Sequence, residues 1–144
     1  MLKIEESVVI SKPRQEVWEF LSDPATVTLY SSNVSEYTLI SGAPTELGRT
    51  ARIVVKVAGI RLESTDELVE IDEGRMFKVE SRDAKVPYTL TMTLSDEGGG
   101  TRLTWLQESE SLKGVFKLGD SIVLKLYARD VRANLENAKT LIEG

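Results

Sequence analysis

The chain has 144 residues, 41% of them apolar and 28% charged, which is the balance of an ordinary globular protein. Its 18 Lys and Arg against 23 Asp and Glu leave a net charge of −5, which argues against the basic face that a nucleic-acid partner needs. It contains no Cys and no His. Disulfide frameworks, thiolate chemistry, Ser-His-Asp triads and zinc sites of the usual ligand set are therefore excluded, and any catalysis must use carboxylates, Lys, Tyr, Ser or Thr.

The length suits one domain, taken as residues 1–144, able to bury roughly 70% of its unfolded surface. The N-terminal "MLKIEESVVI" mixes charges with apolar residues and does not read as a signal peptide. No apolar run approaches the roughly 20 residues that span a bilayer. A cytoplasmic location without stable membrane insertion is expected.

In chain order, residues 2–11 read as a strand, with Leu2, Ile4, Val8 and Ile10 on one face. Glu6 shares that face. Pro13 suits the first turn of a helix, with Ser11 or Lys12 as the cap. Val17, Trp18, Phe20 and Leu21 are the apolar positions of this helix, and Asp23-Pro24 ends it. Trp18 and Phe20 point to different sides, so a second surface must cover one of them. A second short helix over about 24–31 carries Val27, Leu29 and Tyr30.

From Val34 to Glu110 the pattern is of strands. "VSEYTLISG" leads to a turn at Gly42-Ala43-Pro44. In "GRTARIVVKVAG", Ala51, Ile53, Val55 and Val57 alternate with Thr50, Arg52, Val54 and Lys56. "IRLESTDELVEID" is long, and its alternation slips in the middle, which predicts a bulge. "RMFKVES" puts Phe77 and Val79 on one face. "VPYTLTMTLS" sets Val86, Tyr88, Leu90, Met92 and Leu94 against a row of Thr, with Pro87 near the strand start. "TRLTWLQES" sets Leu103, Trp105, Gln107 and Ser109 on one face.

The last element is a long helix over about 114–143. Leu124, Tyr127, Ala128, Val131, Leu135, Ala138 and Ile142 recur at spacings of three and four. A second stripe, Val115, Leu118, Ile122 and Leu126, widens its first half. The order of elements implies an antiparallel meander with helices at its ends, an α+β fold whose curled sheet is filled by the long helix.

The pattern V-x-I-x-x-P-x-x-x-V-W-x-x-L-x-D-P, carried by Val8, Ile10, Pro13, Val17, Trp18, Leu21, Asp23 and Pro24, resembles the opening of START-like domains. These are the polyketide cyclase/dehydrase, SRPBCC or helix-grip superfamily. "VEID" at 69–72, "GGTRLTW" at 99–105 and "LENAKTLIE" at 135–143 look like its later landmarks, so the resemblance covers the whole chain. It implies a seven-stranded curved antiparallel sheet around the C-terminal helix, two short helices between strands 1 and 2, and an apolar cavity. Members bind lipids, sterols, polyketides or hormones there, and some cyclise or dehydrate them. The segment "TLYSSNV" departs from many bacterial members, with Tyr30 where they carry Trp.

The inward face is thus expected to hold a ligand cavity lined by Tyr30, Phe77, Tyr88, Leu90, Met92, Leu103, Trp105, Gln107, Leu124, Tyr127 and Val131, with a filled core as the alternative. Gln107 either touches the ligand or bonds nearby backbone. The Tyr hydroxyls either face the cavity or meet water. Glu67 shares parity with Val69 and Ile71. With Tyr88 and Gln107 it is a candidate catalytic group if buried, and solvated otherwise, as is Glu6. Arg129 and Arg132 read as a solvated face. No metal and no cofactor is expected. The partner expected is a small hydrophobic molecule rather than nucleic acid. A cyclase or dehydratase and a protein-binding module without a cavity are the alternatives.

Overall fold

The computed structural model describes residues 2–110 and 119–144. Among them, seven strands form one antiparallel sheet: β1 (Leu2–Ile10), β2 (Val34–Ser41), β3 (Thr50–Val57), β4 (Ile60–Asp72), β5 (Met76–Arg82), β6 (Tyr88–Glu97) and β7 (Gly100–Ser109). Spatial order is β1-β7-β6-β5-β4-β3-β2, so β2 to β7 form a meander and β1 closes onto β7. Between β1 and β2 lie α1 (Arg14–Ser22), a 3-10 turn (Pro24–Thr26) and α2 (Val27–Tyr30). The long helix α3 spans Asp120–Glu143. The expected start near residue 114, with Val115 and Leu118, lies outside the described residues.

Local chemistry explains the breaks. Pro13 is the capping position of α1 in extended conformation and supplies no side-chain cap. The Ser11 amide instead donates to Glu143 Oε2 at 2.8 Å, tying the start of the chain to the end of α3. Asp23 ends α1 in an extended conformation, and its side chain accepts from the Ala25 amide at 2.9 Å. One residue thus stops one helix and starts the next.

The aromatic spacing on α1 resolves the same way. Val17, Trp18 and Leu21 are buried in the core. Trp18 meets Phe77 of β5 edge-on, centroids 6.0 Å apart. Phe20, on the other side, packs on Tyr30 of α2 at 6.0 Å. The second surface is therefore α2 itself, and the two short helices are joined by a ring pair.

On α3 the buried stripe includes Val123, Val131, Leu135 and Ala138. Ile122, expected on the apolar arc, is exposed, and Val123 takes the inward position. Asn134 is buried on this stripe. It accepts from the Ser32 amide at 3.2 Å and donates to Asn33 at 2.9 Å, anchoring α3 to the turn before β2. Lys139 binds the Val9 carbonyl, so α3 also grips β1.

Candidate functional site

Between the inner face of the sheet and α3 lies a cavity of about 160 Å³. Its wall is mainly aliphatic and aromatic. Trp18 and Leu21 of α1, Tyr30 of α2 and Leu124 of α3 contribute, along with alternate residues of β2 to β7. Nine of the residues expected to line a cavity do line it: Tyr30, Phe77, Tyr88, Leu90, Met92, Trp105, Gln107, Leu124 and Tyr127.

Leu103 and Val131 do not. Leu103 is fully buried and faces Val8 across β1 and Leu94 across β6, both buried as well. Val131 belongs to the same packed cluster as Leu135 and Ala138. The inner face is therefore filled near the start of β7 and hollow only beyond it. Parity finds a face, but not how far along that face the packing extends.

Two side-chain networks stand out among the polar groups on the wall. The first is on β7 and α3. Gln107 Oε1 accepts from Trp105 Nε1 at 3.2 Å and from the Tyr127 hydroxyl at 3.0 Å. Two donors on one oxygen fix which way the amide faces. Burial raises the Tyr127 phenol to about 12, with the Gln107 hydrogen bond pulling the other way. Tyr127 thus stays a neutral hydroxyl at ordinary pH.

The second group was not anticipated. Arg49, in the turn before β3, and Asp66 of β4 are both buried, at 8% and 3% exposure. Arg49 Nη1 lies 3.0 Å from Asp66 Oδ1 and donates to the Tyr37 hydroxyl at 2.8 Å. Arg49 Nε donates to the Pro44 carbonyl at 3.1 Å. All four residues line the cavity.

The sheet explains how they meet. Ala51 stands opposite Asp66, while the Arg49 backbone pairs with Leu68. Arg49 therefore reaches Asp66 along the diagonal, over the small side chain of Ala51. Burial pushes the Asp66 carboxyl up to about 6, opposed by the Arg49 charge and by hydrogen bonds from Arg49 and Tyr37. Burial likewise pushes Tyr37 up to about 12. Tyr88 stands between the two groups. Its phenol is raised by burial and by the Asp66 charge, while a hydrogen bond with Ser64 lowers it.

Glu67 is not part of this site. The bulge that the sequence indicated lies between Leu68 and Glu70. Before it, the even positions Leu62, Ser64, Asp66 and Leu68 line the cavity; after it, Ile71 does. Parity with Val69 and Ile71 thus assigned Glu67 to the wrong face. It lies 3.6 Å from Arg82 in a half-exposed ion pair. Glu6 shares the inner side with Ile4 and Val8, but pairs with Arg132 of α3 at 3.1 Å and is absent from the cavity wall. Arg49 and Asp66 were readable by phase: Arg49 is in step with Ala51 and Ile53, and Asp66 with Leu62 and Leu68.

Among the described residues no helix is long and apolar enough to cross a membrane. In overall shape the chain is similar to TTHA0849 from Thermus thermophilus, at TM-score 0.82 and 19% identity, over 98% of this chain and 97% of that one. A conserved protein from Geobacillus kaustophilus aligns at 0.79 and 16% identity, over 98% and 95%. Major latex-like protein 151 of Panax ginseng aligns at 0.75 and 16% identity, over 97% and 96%. No curated protein matches significantly in sequence. The family model described as "Polyketide cyclase / dehydrase and lipid transport" matches residues 1–143. With that match running through every element that builds the cavity, the chain belongs to the polyketide cyclase/dehydrase and lipid transport family.

Proposed function

We propose that this protein binds a small hydrophobic molecule, a lipid, polyketide or aromatic compound, between the sheet and α3. The observation that carries this reading is a largely apolar cavity with two fixed polar groups on its wall. Apolar contact supplies the affinity, on the order of 25 cal/mol per Å² buried before the entropic cost of association. Gln107, Tyr88 and Tyr127 orient the ligand by hydrogen bonds. The Pro44–Thr45 part of the loop before β3, together with α2, guards the way in.

Trp105 lines the cavity, so its emission reports occupancy. Native mass spectrometry of the gently purified protein should show a bound small molecule. Solvent-extracted protein should then take up 1-decanol or 2-naphthol with a change in Trp emission. No retained molecule and no response to either probe would overturn the reading.

A second reading, proton transfer to a polyketide-type substrate, rests on Asp66, a carboxyl that titrates near 6 inside the cavity. Glu67, on the outer face, has no place in it. Asp66→Asn should then bind substrate but not convert it. Unchanged turnover in that variant would remove the second reading.

A further inference from the structure

Arg49 is buried in the cavity wall, yet its cationic fork is only partly engaged. Nε holds the Pro44 carbonyl, and Nη1 holds both Tyr37 and Asp66. Asp66 meets it through one oxygen and one nitrogen, not side by side. Nη2 has no hydrogen-bond partner among the described residues. A guanidinium presents paired donors to a planar, two-oxygen acceptor, and Asp66 uses only part of that capacity. An unfilled donor on a buried cation that faces a hollow points to a ligand group of matching charge and shape.

We propose, on the footing that the cavity holds a hydrophobic molecule, that this molecule ends in a carboxylic acid, which seats on Arg49 and shares that cation with Asp66. Two carboxylates beside one buried guanidinium disfavour each other's ionisation. Seating an ionised acid therefore takes up one proton from solvent, which the acid and Asp66 then share. Net charge at the site is unchanged: one cation, one carboxylate, one neutral carboxyl. The groups facing the pair are Tyr37 from β2, Tyr88 from β6 and the Pro44 backbone carbonyl before β3, with Tyr127 of α3 beyond Tyr88. None of them supplies a second cation. Lys3, Glu63 and Lys85 line other parts of the wall, and the Glu67–Arg82 pair lies on the outer face of β4.

Matched probes test the acid and the cavity separately. Decanoic acid with 1-decanol, and 2-naphthoic acid with 2-naphthol, are titrated by calorimetry at pH 6 and pH 8. In at least one pair the acid should bind roughly tenfold or more tightly than its alcohol at pH 6. That advantage should fall by about tenfold or more at pH 8, as one-proton uptake requires, while the alcohols are indifferent to pH. Arg49→Gln should erase the acid preference, read as the ratio of acid to alcohol affinity within the same variant. Asp66→Asn keeps the shape and the acceptor oxygen, and should hold the acid's pH 6 affinity at pH 8. Equal affinity of acid and alcohol overturns the inference and leaves hydrophobic binding standing. An acid preference that survives Arg49→Gln places the acid elsewhere and also overturns it. Should Arg49→Gln fail to fold, an unaltered pH slope in Asp66→Asn is enough to reject it. Failure of all four probes removes the cavity reading and the inference with it.

Discussion

Arg49 and Asp66 meet at 3.0 Å inside the protein, 17 positions apart in sequence. The pair has a consequence for stability. Burial raises the Asp66 carboxyl from 3.8 to about 6. Between those values the folded state holds a proton that the unfolded state has released, so stability falls as pH rises through this window. Lowering the pH from about 6 to 4 should stabilise the wild type relative to Asp66→Asn by about 2 kcal/mol. Above about pH 7 the difference should be flat. Urea midpoints of the two proteins across pH 4–8 measure this, and a constant difference would contradict the burial of an ionisable Asp66.

Leu90 and Leu103 separate cavity from core. Leu103 is fully buried among Val8, Leu94 and their neighbours, so Leu103→Ala leaves a new void and should cost about 3–5 kcal/mol. Leu90 already borders open space, and Leu90→Ala should cost about half as much. Chemical denaturation ranks them; equal costs would mean that the wall at Leu90 is packed after all.

Gln107 serves two donors, whereas Tyr127 contributes one. Removing the shared acceptor should be worse than removing a donor. Gln107→Leu is expected to cost about 2–3 kcal/mol, leaving Trp105 Nε1 and the Tyr127 hydroxyl without their partner. Tyr127→Phe should cost about 1 kcal/mol. In a Trp18→Phe background, Trp105 emission should shift in Gln107→Leu far more than in Tyr127→Phe. The reverse order would exclude Gln107 as the hub.

Gly42 makes room for Arg49. Its φ is +84°, and an added Cβ would stand 2.7 Å from Arg49 Cβ. Gly42→Ala should therefore cost about 1–3 kcal/mol through strain and crowding. It should also displace the guanidinium, visible as a shift of the Arg49 Nε resonance. An unmoved resonance would mean that the loop yields instead.

Much of the fold was legible because its signals are periodic. The Thr row of β6, the three-and-four spacing on α3 and the Asp23-Pro24 break each have one physical reading. The site was legible where strands run straight, as at Tyr88, Leu90, Trp105 and Gln107. It was lost where they do not. On β4 the slip in alternation was visible, but its position was not, and the outer Glu67 stood in for the inner Asp66. Arg49 was missed because it lies before β3 and because a charged side chain in an inward phase reads as an exception. Leu103 and Val131 were assigned to the cavity because sequence specifies a face but carries no measure of where packing stops.

Adjacent residues of β4 alternate faces, so Asp66 and Glu67 lie on opposite sides of one sheet, and the bulge at Leu68–Glu70 sets which of them shares the inner face with Ile71. Asp66 is held indoors beside a single cation, while Glu67 stands outdoors beside Arg82. Nature has thus built a matched control into the strand. Neutralising either acid removes the same charge from almost the same point in the chain, so any effect specific to Asp66→Asn and absent from Glu67→Gln reports the interior alone. The extra residue of the bulge thereby decides which of two adjacent carboxylates is in phase with the later inward residues of the strand and which is not.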